Sequence, residues 1–173
     1  MAWTNKLNGK YSLETLNSKE SIVNTLKERI DKAQKDKSWF SFEDVDYKNM
    51  RIDDYRIIIK RKPALVSFMP NPDNGFIIVH FNQINNEKMQ VNAEIKPYKI
   101  GLWLAIGVLI PFSALQLLMM HGVYKYGLLI ISWSLVLSVA YLGVLFFRYR
   151  LKMYLETVLA DIGIKGDLIR ERK

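Results

Sequence analysis

Residues 100–120 read IGLWLAIGVLIPFSALQLLMM and residues 126–147 read YGLLIISWSLVLSVAYLGVLFF, stretches of 21 and 22 residues without one Asp, Glu, Lys, Arg or His. As helices rising about 1.5 Å per residue, each spans roughly the 30 Å of a bilayer's hydrocarbon core. Leu, Ile, Val and Phe make up 11 residues of the first stretch and 13 of the second. At central positions such residues favour insertion by about 3 to 8 kcal/mol per stretch, before the discount for Gln116 and the serines. A buried helix of a soluble bundle keeps one wet face, and neither stretch offers one. Two transmembrane helices are therefore predicted, over about 100–120 and 126–147.

Only residues 121–126, HGVYKY, join them. So short a link permits an antiparallel helical hairpin and puts both flanks on one side. Lys96 and Lys99 precede the first span, Arg148, Arg150 and Lys152 follow the second, and the link carries Lys125 alone. The positive-inside bias then predicts cytoplasmic termini and an external turn. Tyr98, Trp103, Tyr124, Tyr126 and Tyr149 fit interfacial aromatic belts. The first 30 residues lack a charged n-region followed by an apolar stretch, so no cleavable secretory signal is expected.

The rest of the composition agrees with a small membrane protein. The chain has 173 residues, 50% of them apolar, with a formal net charge of +8. Residues 1–95 hold 15 Lys and Arg against 13 Asp and Glu, whereas residues 96–173 hold 10 against 4. The excess positive charge thus brackets the apolar stretches instead of forming a nucleic-acid surface. The absence of cysteine excludes disulfides, thiolate metal sites and cysteine nucleophiles, and His80 and His121 leave little for zinc or general-base chemistry.

Within the spans, Pro111 frees the carbonyl of Gly107, and an ordinary bend is expected there. Ser134 and Ser138 lie one turn apart, with Ser132, Ala140 and Gly143 on a neighbouring stripe. Small residues so spaced admit a close helix, either the first span through Ala105, Gly107 and Ala114 or a second subunit, and both accounts stay open. Gln116 is the only amide in either span. It serves a helix contact or, in an oligomer, faces a pore.

Ahead of the hairpin, residues 1–97 suffice for one small core. Tyr11–Leu16 reads as a strand. Asn17 with Glu20 reads as a capping box, opening a helix with the apolar stripe Ile22, Val23, Leu26, Ile30 and Ala33 and the polar end Gln34–Lys37. Trp39, Phe40 and Phe42 are expected to begin another strand. The period then falls to 2: Arg51–Lys60 carries Tyr55, Ile57 and Ile59, followed by strands at Ala64–Met69 and Phe76–Phe81. In Met89–Lys96, Met89, Val91, Ala93 and Ile95 alternate with Gln90, Asn92, Glu94 and Lys96, which predicts one face on a core and pairing with Phe76–Phe81 across an Asn82–Lys88 loop. Pro97 and Tyr98 then leave almost no slack before the first span, so this domain is expected close to the lipid headgroups. Beyond the second span, Arg148–Ile162 continues as an amphipathic helix with Leu151, Tyr154, Leu155, Val158, Leu159 and Ile162 on one stripe. The cytoplasmic domain, a partner chain or the headgroup layer must cover that stripe, the first two being favoured because Glu156 and Asp161 offset the basic charge. Gly163 is the expected helix stop, and a solvated, frayed tail is expected over 165–173.

Neither a Walker phosphate loop nor a Gly-x-Gly-x-x-Gly turn occurs. Asp44 with Asp46, and Asp53 with Asp54, are the only tight carboxylate groups. They read as turn residues near Lys48 and Arg51, since no histidine or calcium-loop glycine accompanies them. His80 reads as a packed or edge strand residue. Arg56, Lys60, Arg61 and Lys62, with Arg148 and Arg150, are the candidates for lipid-headgroup contact. The run Lys60–Lys62 lacks the aromatic interleaving of a nucleic-acid surface.

The order of Tyr11-Ser-Leu-Glu-Thr-Leu16 before a helix, a strand-rich stretch with Arg61-Lys-Pro-Ala-Leu-Val-Ser-Phe-Met-Pro70, and then a two-span hairpin resembles small bacterial membrane proteins built from a cytoplasmic α+β domain and a helical hairpin. The resemblance implies that layout and no particular activity. The richness in Asn, Lys and Ile suits an AT-rich bacterial genome.

The expectation is an α+β protein: a small antiparallel-sheet domain with one main helix (1–97), a two-helix transmembrane hairpin (98–147), and a C-terminal amphipathic helix and tail (148–173). Its expected role is a non-enzymatic scaffold, accessory or regulatory subunit at the bacterial inner membrane, with the bilayer, further copies of itself or a partner membrane protein as its contacts. No cofactor, metal or nucleic acid is expected. Two alternatives are an oligomeric channel or membrane-permeabilising effector, with Gln116, Ser132, Ser134 and Ser138 facing a shared pore, and a lipid-headgroup binder using Asp44, Asp46 or Arg61.

Overall fold

The computed structural model describes residues 6–35, 45, 47–53, 56–60, 75–85, 88–119, 122–164 and 166–171. The chain divides into two compact units, one comprising Met1–Pro97 with Arg148–Lys173 and the other Tyr98–Phe147.

In the first unit the strands are β1 (Gly9–Thr15), β2 (Met50–Asp53), β3 (Arg56–Lys60), β4 (Gly75–Asn85), β5 (Lys88–Pro97) and β6 (Ile169–Arg170). They form one antiparallel sheet in the order β2-β3-β4-β5-β1-β6. Register aligns the apolar alternates into rows: Tyr11 opposes Ala93, Ala93 opposes Val79, Val79 opposes Ile57, and Ile57 opposes Ile52. A period of two on every strand therefore collects the apolar side chains on one face. That face is buried, with Ile77, Val91 and Ile95 fully enclosed.

Helix α1 (Lys19–Lys35) presents Ile22, Leu26 and Ile30, one turn apart, to the same hydrophobic cluster. Its cap is Ser18 and not Asn17: the Ser18 hydroxyl accepts from the Ser21 amide at 3.2 Å, while the Asn17 side chain donates to the Gly163 carbonyl at 3.5 Å. Glu20 in the first turn and Lys32 and Lys35 in the last complement the helix dipole.

The other cover comes from the end of α3 (Tyr124–Asp161), whose Leu151, Tyr154, Leu155, Val158 and Leu159 join that cluster together with Ile162. The helix stops in a Schellman arrangement. Gly163 has φ +81°, its amide donates to the Ala160 carbonyl at 3.0 Å, and the Ile164 amide donates to the Leu159 carbonyl at 2.9 Å. A side chain at Gly163 would strain this turn, which is why the stop falls there.

Four expectations need correction. Residues 51–60 are not one strand but two, β2 and β3, paired antiparallel with Asp53 opposite Arg56, which agrees with the reading of Asp53 as a turn residue. The expected Asn82–Lys88 loop is mostly ladder, with Asn82 opposite Gln90 and Asn85 opposite Lys88 around a bulge, because cross-strand hydrogen bonding overrides the weak strand preference of Asn and Gln. Asn17 gives way to Ser18 as the cap. The tail expected to fray over 165–173 is ordered across its described residues 166–171: Leu168 is buried, Ile169 and Arg170 pair with Ser12 and Tyr11, and the Glu171 amide donates to the Lys10 carbonyl at 3.0 Å. The strands expected at Ala64–Met69 and from Trp39, and the side chains of Phe40, Phe42 and Tyr55, lie outside the described residues.

Candidate functional site

The second unit is a hairpin of α2 (Ile100–Met119) and the portion of α3 up to Phe147. The Lys99 carbonyl accepts from the amides of Leu102 and Trp103, which starts α2 two residues after β5 ends. The helix continues through Pro111. Gly122, with φ +90°, lies between the helices and takes the left-handed backbone that glycine tolerates. Both helices are long and apolar enough to cross a membrane. Only 11% of the most apolar window of α2 and 6% of that of α3 is buried, where the core helix of a soluble protein is mostly enclosed. Leu104, Leu118, Leu135 and Val139 are each more than 60% exposed. A contiguous apolar surface of this extent is foreign to a water-facing monomer.

Polar groups inside the hairpin are few, and two of its serines are hydrogen-bonded within it. The Ser113 hydroxyl donates to the Leu109 carbonyl at 2.7 Å and accepts from the Trp133 indole N–H at 2.7 Å, tying α2 to α3. The Ser132 hydroxyl donates back to the Leu129 carbonyl at 3.0 Å. Gln116 Oε1 is buried without such a contact, with no hydrogen-bond partner among the described residues. It borders a groove of about 710 Å³ between the two helices, lined by Phe112, Leu115 and Met119 of α2 and Leu128, Ser132 and Leu135 of α3. The groove brings Gln116 and Ser132 together. Ser134 and Ser138 are exposed and do not line it, and open space surrounds the Cα atoms of Gly107 and Gly143, so neither glycine marks a close approach of the two helices.

The candidates for headgroup contact are distributed over the first unit. Arg56 is exposed on β3 and donates to Asp53 Oδ2 at 2.9 Å. Lys60 ends β3 opposite Phe76, and Arg148 and Arg150 are half-buried on α3, Arg150 with a partner of its own. Arg61, Lys62, Asp44, Asp46, Asp54 and His121 lie outside the described residues. Arg56 and His80 share the sheet face opposite the core, with Asn92 and Ser12 continuing the row. Lys96 on that face meets Glu94 at 2.9 Å and lies 5.8 Å from the centre of the Phe76 ring. No group of three or more potential metal ligands occurs among the described residues.

One polar cluster escaped the sequence reading. Tyr47, in a short 3-10 turn (Tyr47–Asn49), donates its phenolic hydrogen to Asp161 Oδ2, and Arg29 of α1 approaches the same oxygen at 3.9 Å. Burial drives the phenol's pKa well above its ordinary value; the hydrogen bond and charge of Asp161 add to this, and Arg29 opposes it. The cluster ties α1, the 3-10 turn and α3 together. Its only sequence signal is Asp161 itself, an acid at a helix C-terminus, where the dipole disfavours negative charge.

No protein family, curated protein or solved structure matches this chain.

Proposed function

We propose that this chain is an integral protein of a bacterial inner membrane, with both termini in the cytoplasm. It displays its α+β domain there as a non-enzymatic scaffold, accessory or regulatory subunit. The observation that carries the reading is the outward display of apolar side chains along both hairpin helices, with 11% and 6% of their most apolar windows buried. Such surface costs about 25 cal/mol per Å² in water and nothing of that kind in lipid. Orientation rests on Lys96, Lys99, Arg148, Arg150 and Lys152 flanking the spans, against Lys125 alone in the link. The non-enzymatic part is supported by the structural use of carboxylates: Asp161 bonds Tyr47, Asp53 holds Arg56, Glu94 meets Lys96, and Glu156 meets Lys152 at 3.0 Å.

Alkaline carbonate extraction of membranes from cells expressing the full chain, combined with reporters at either terminus, tests the reading. Retention in the pellet with cytoplasmic reporter signal is expected. Release into the supernatant, or a periplasmic signal at either end, contradicts it. Turnover of a nucleotide, lipid or peptide by the purified protein contradicts the non-enzymatic part.

A further inference from the structure

A two-helix hairpin that leaves most of both helices uncovered has a buried polar atom that lipid tails do not satisfy. Gln116 Oε1 is an acceptor closed off from solvent and without a donor among the described residues, beside a groove otherwise lined almost wholly by hydrocarbon. Leaving a buried carbonyl unpaired is costly, because its desolvation goes uncompensated. The neighbouring hydroxyls bring no relief, since those of Ser113 and Ser132 both donate to their own helix backbones. The terminal torsion of glutamine is soft, so the carboxamide can turn toward the groove.

We propose that the groove is the docking face for a second copy of this chain, with the two Gln116 carboxamides exchanging hydrogen bonds across a two-fold axis along the membrane normal. The proposal rests on the membrane reading above and deepens it by naming the partner and the contact. A carboxamide is self-complementary, carrying both a donor and an acceptor. Two copies inserted in one orientation place Gln116 at the same depth, which the isologous geometry of a two-fold dimer requires. An acyl chain can fill the groove but brings no donor to Oε1. Phe112, Leu115 and Met119, which surround Gln116 on α2, would pack against their counterparts.

The absence of cysteine makes the test clean, because each introduced thiol is the only one in the chain. Leu115→Cys and Met119→Cys lie on the groove, whereas Ile110→Cys and Leu117→Cys are exposed on α2 without lining it. Full-length variants in native membranes are oxidised and the covalent dimer is measured. Groove positions are expected to cross-link and the other two not to. Adding Gln116→Leu, which keeps the bulk and removes the amide, is expected to raise the dimer dissociation constant about eightfold, the worth of two interhelical hydrogen bonds. Equal or preferential cross-linking at Ile110→Cys and Leu117→Cys overturns the proposal, as does a carbonate-resistant monomer at every position. So does a dimer indifferent to Gln116→Leu, or lipid retained in the groove while Leu115→Cys and Met119→Cys stay reduced. In those cases the membrane reading survives, whereas release of the chain by carbonate removes both.

Discussion

Met89, Val91, Ala93 and Ile95 of β5 are buried, and the residues between them, Gln90, Asn92, Glu94 and Lys96, are half-buried on the other face. A few residues on, in α2, Leu104, Val108, Ile110 and Leu118 point outward and no charged residue alternates with them. The first unit has polar side chains enough to meet water and hides its apolar ones behind one sheet face. The hairpin has no such reserve, and many of its apolar side chains stay exposed. The units differ in apolar content, 36 of 50 residues in the hairpin against 50 of 123 in the first unit, and in whether the spacing leaves a second, wettable face.

Leu155→Ala should separate the two units most strongly. The side chain is fully buried between α3 and the sheet, and its removal is expected to cost about 4 kcal/mol, read as a fall in the urea midpoint for loss of β structure. A cost below about 1 kcal/mol would mean that α3 does not seal this core. The hairpin responds to a different change. Ile110→Arg, at a position 58% exposed, is expected to oppose membrane insertion by about 3 kcal/mol, visible in a glycosylation-mapping assay of the span. An arginine at an exposed position of a water-facing helix would be close to neutral, so an unchanged insertion efficiency would erase the contrast between the units.

Tyr47→Phe is expected to cost the first unit about 2 kcal/mol, because it removes a hydrogen bond to a charged acceptor. Its pH dependence has a definite sign. The native phenol stays protonated beyond the ordinary value of 10.0 at which the unfolded chain loses that proton. The unfolded state then binds fewer protons, so this contribution to stability is present below about pH 10 and is lost as pH rises through the native pKa. Titrating the urea midpoint across the alkaline range should show a decline that Tyr47→Phe makes shallower; identical slopes would remove the cluster from the account. The smallest effect is Glu14→Arg, at an exposed position of β1, expected to shift the midpoint by less than about 0.5 kcal/mol, in contrast to the arginine at position 110.

The features legible in the sequence were those carried by strict periodicity. The alternation of Met89–Ile95, the stripes Ile22, Leu26, Ile30 and Leu151 to Ile162, and the two uncharged runs each appear in the structure as a buried face or an apolar helix. Features that depend on distant partners were not legible. β6 is two residues long, and its pairing to β1 depends on Leu168 reaching the core, which no local pattern announces. Tyr47, Arg29 and Asp161 are far apart in the chain and meet only because α1 and α3 share a core. At the candidate site, Gln116 stood out as the one amide in the spans. That it and Ser132 share a groove while Ser134 and Ser138 do not depends on the relative rotation of α2 and α3, which apolar spans with no polar stripe leave unspecified.

The most direct measurement is thiol accessibility in open membrane fragments, where both surfaces meet the reagent. Single cysteines replace Leu104, Ile110 or Val139, which are 63%, 58% and 64% exposed, and Glu28 of α1, also exposed. With a charged maleimide, Glu28→Cys is expected to label at once, and the three hairpin variants only after detergent and denaturant dissolve the bilayer. Equal labelling of all four before that treatment would place the hairpin in water and contradict the account.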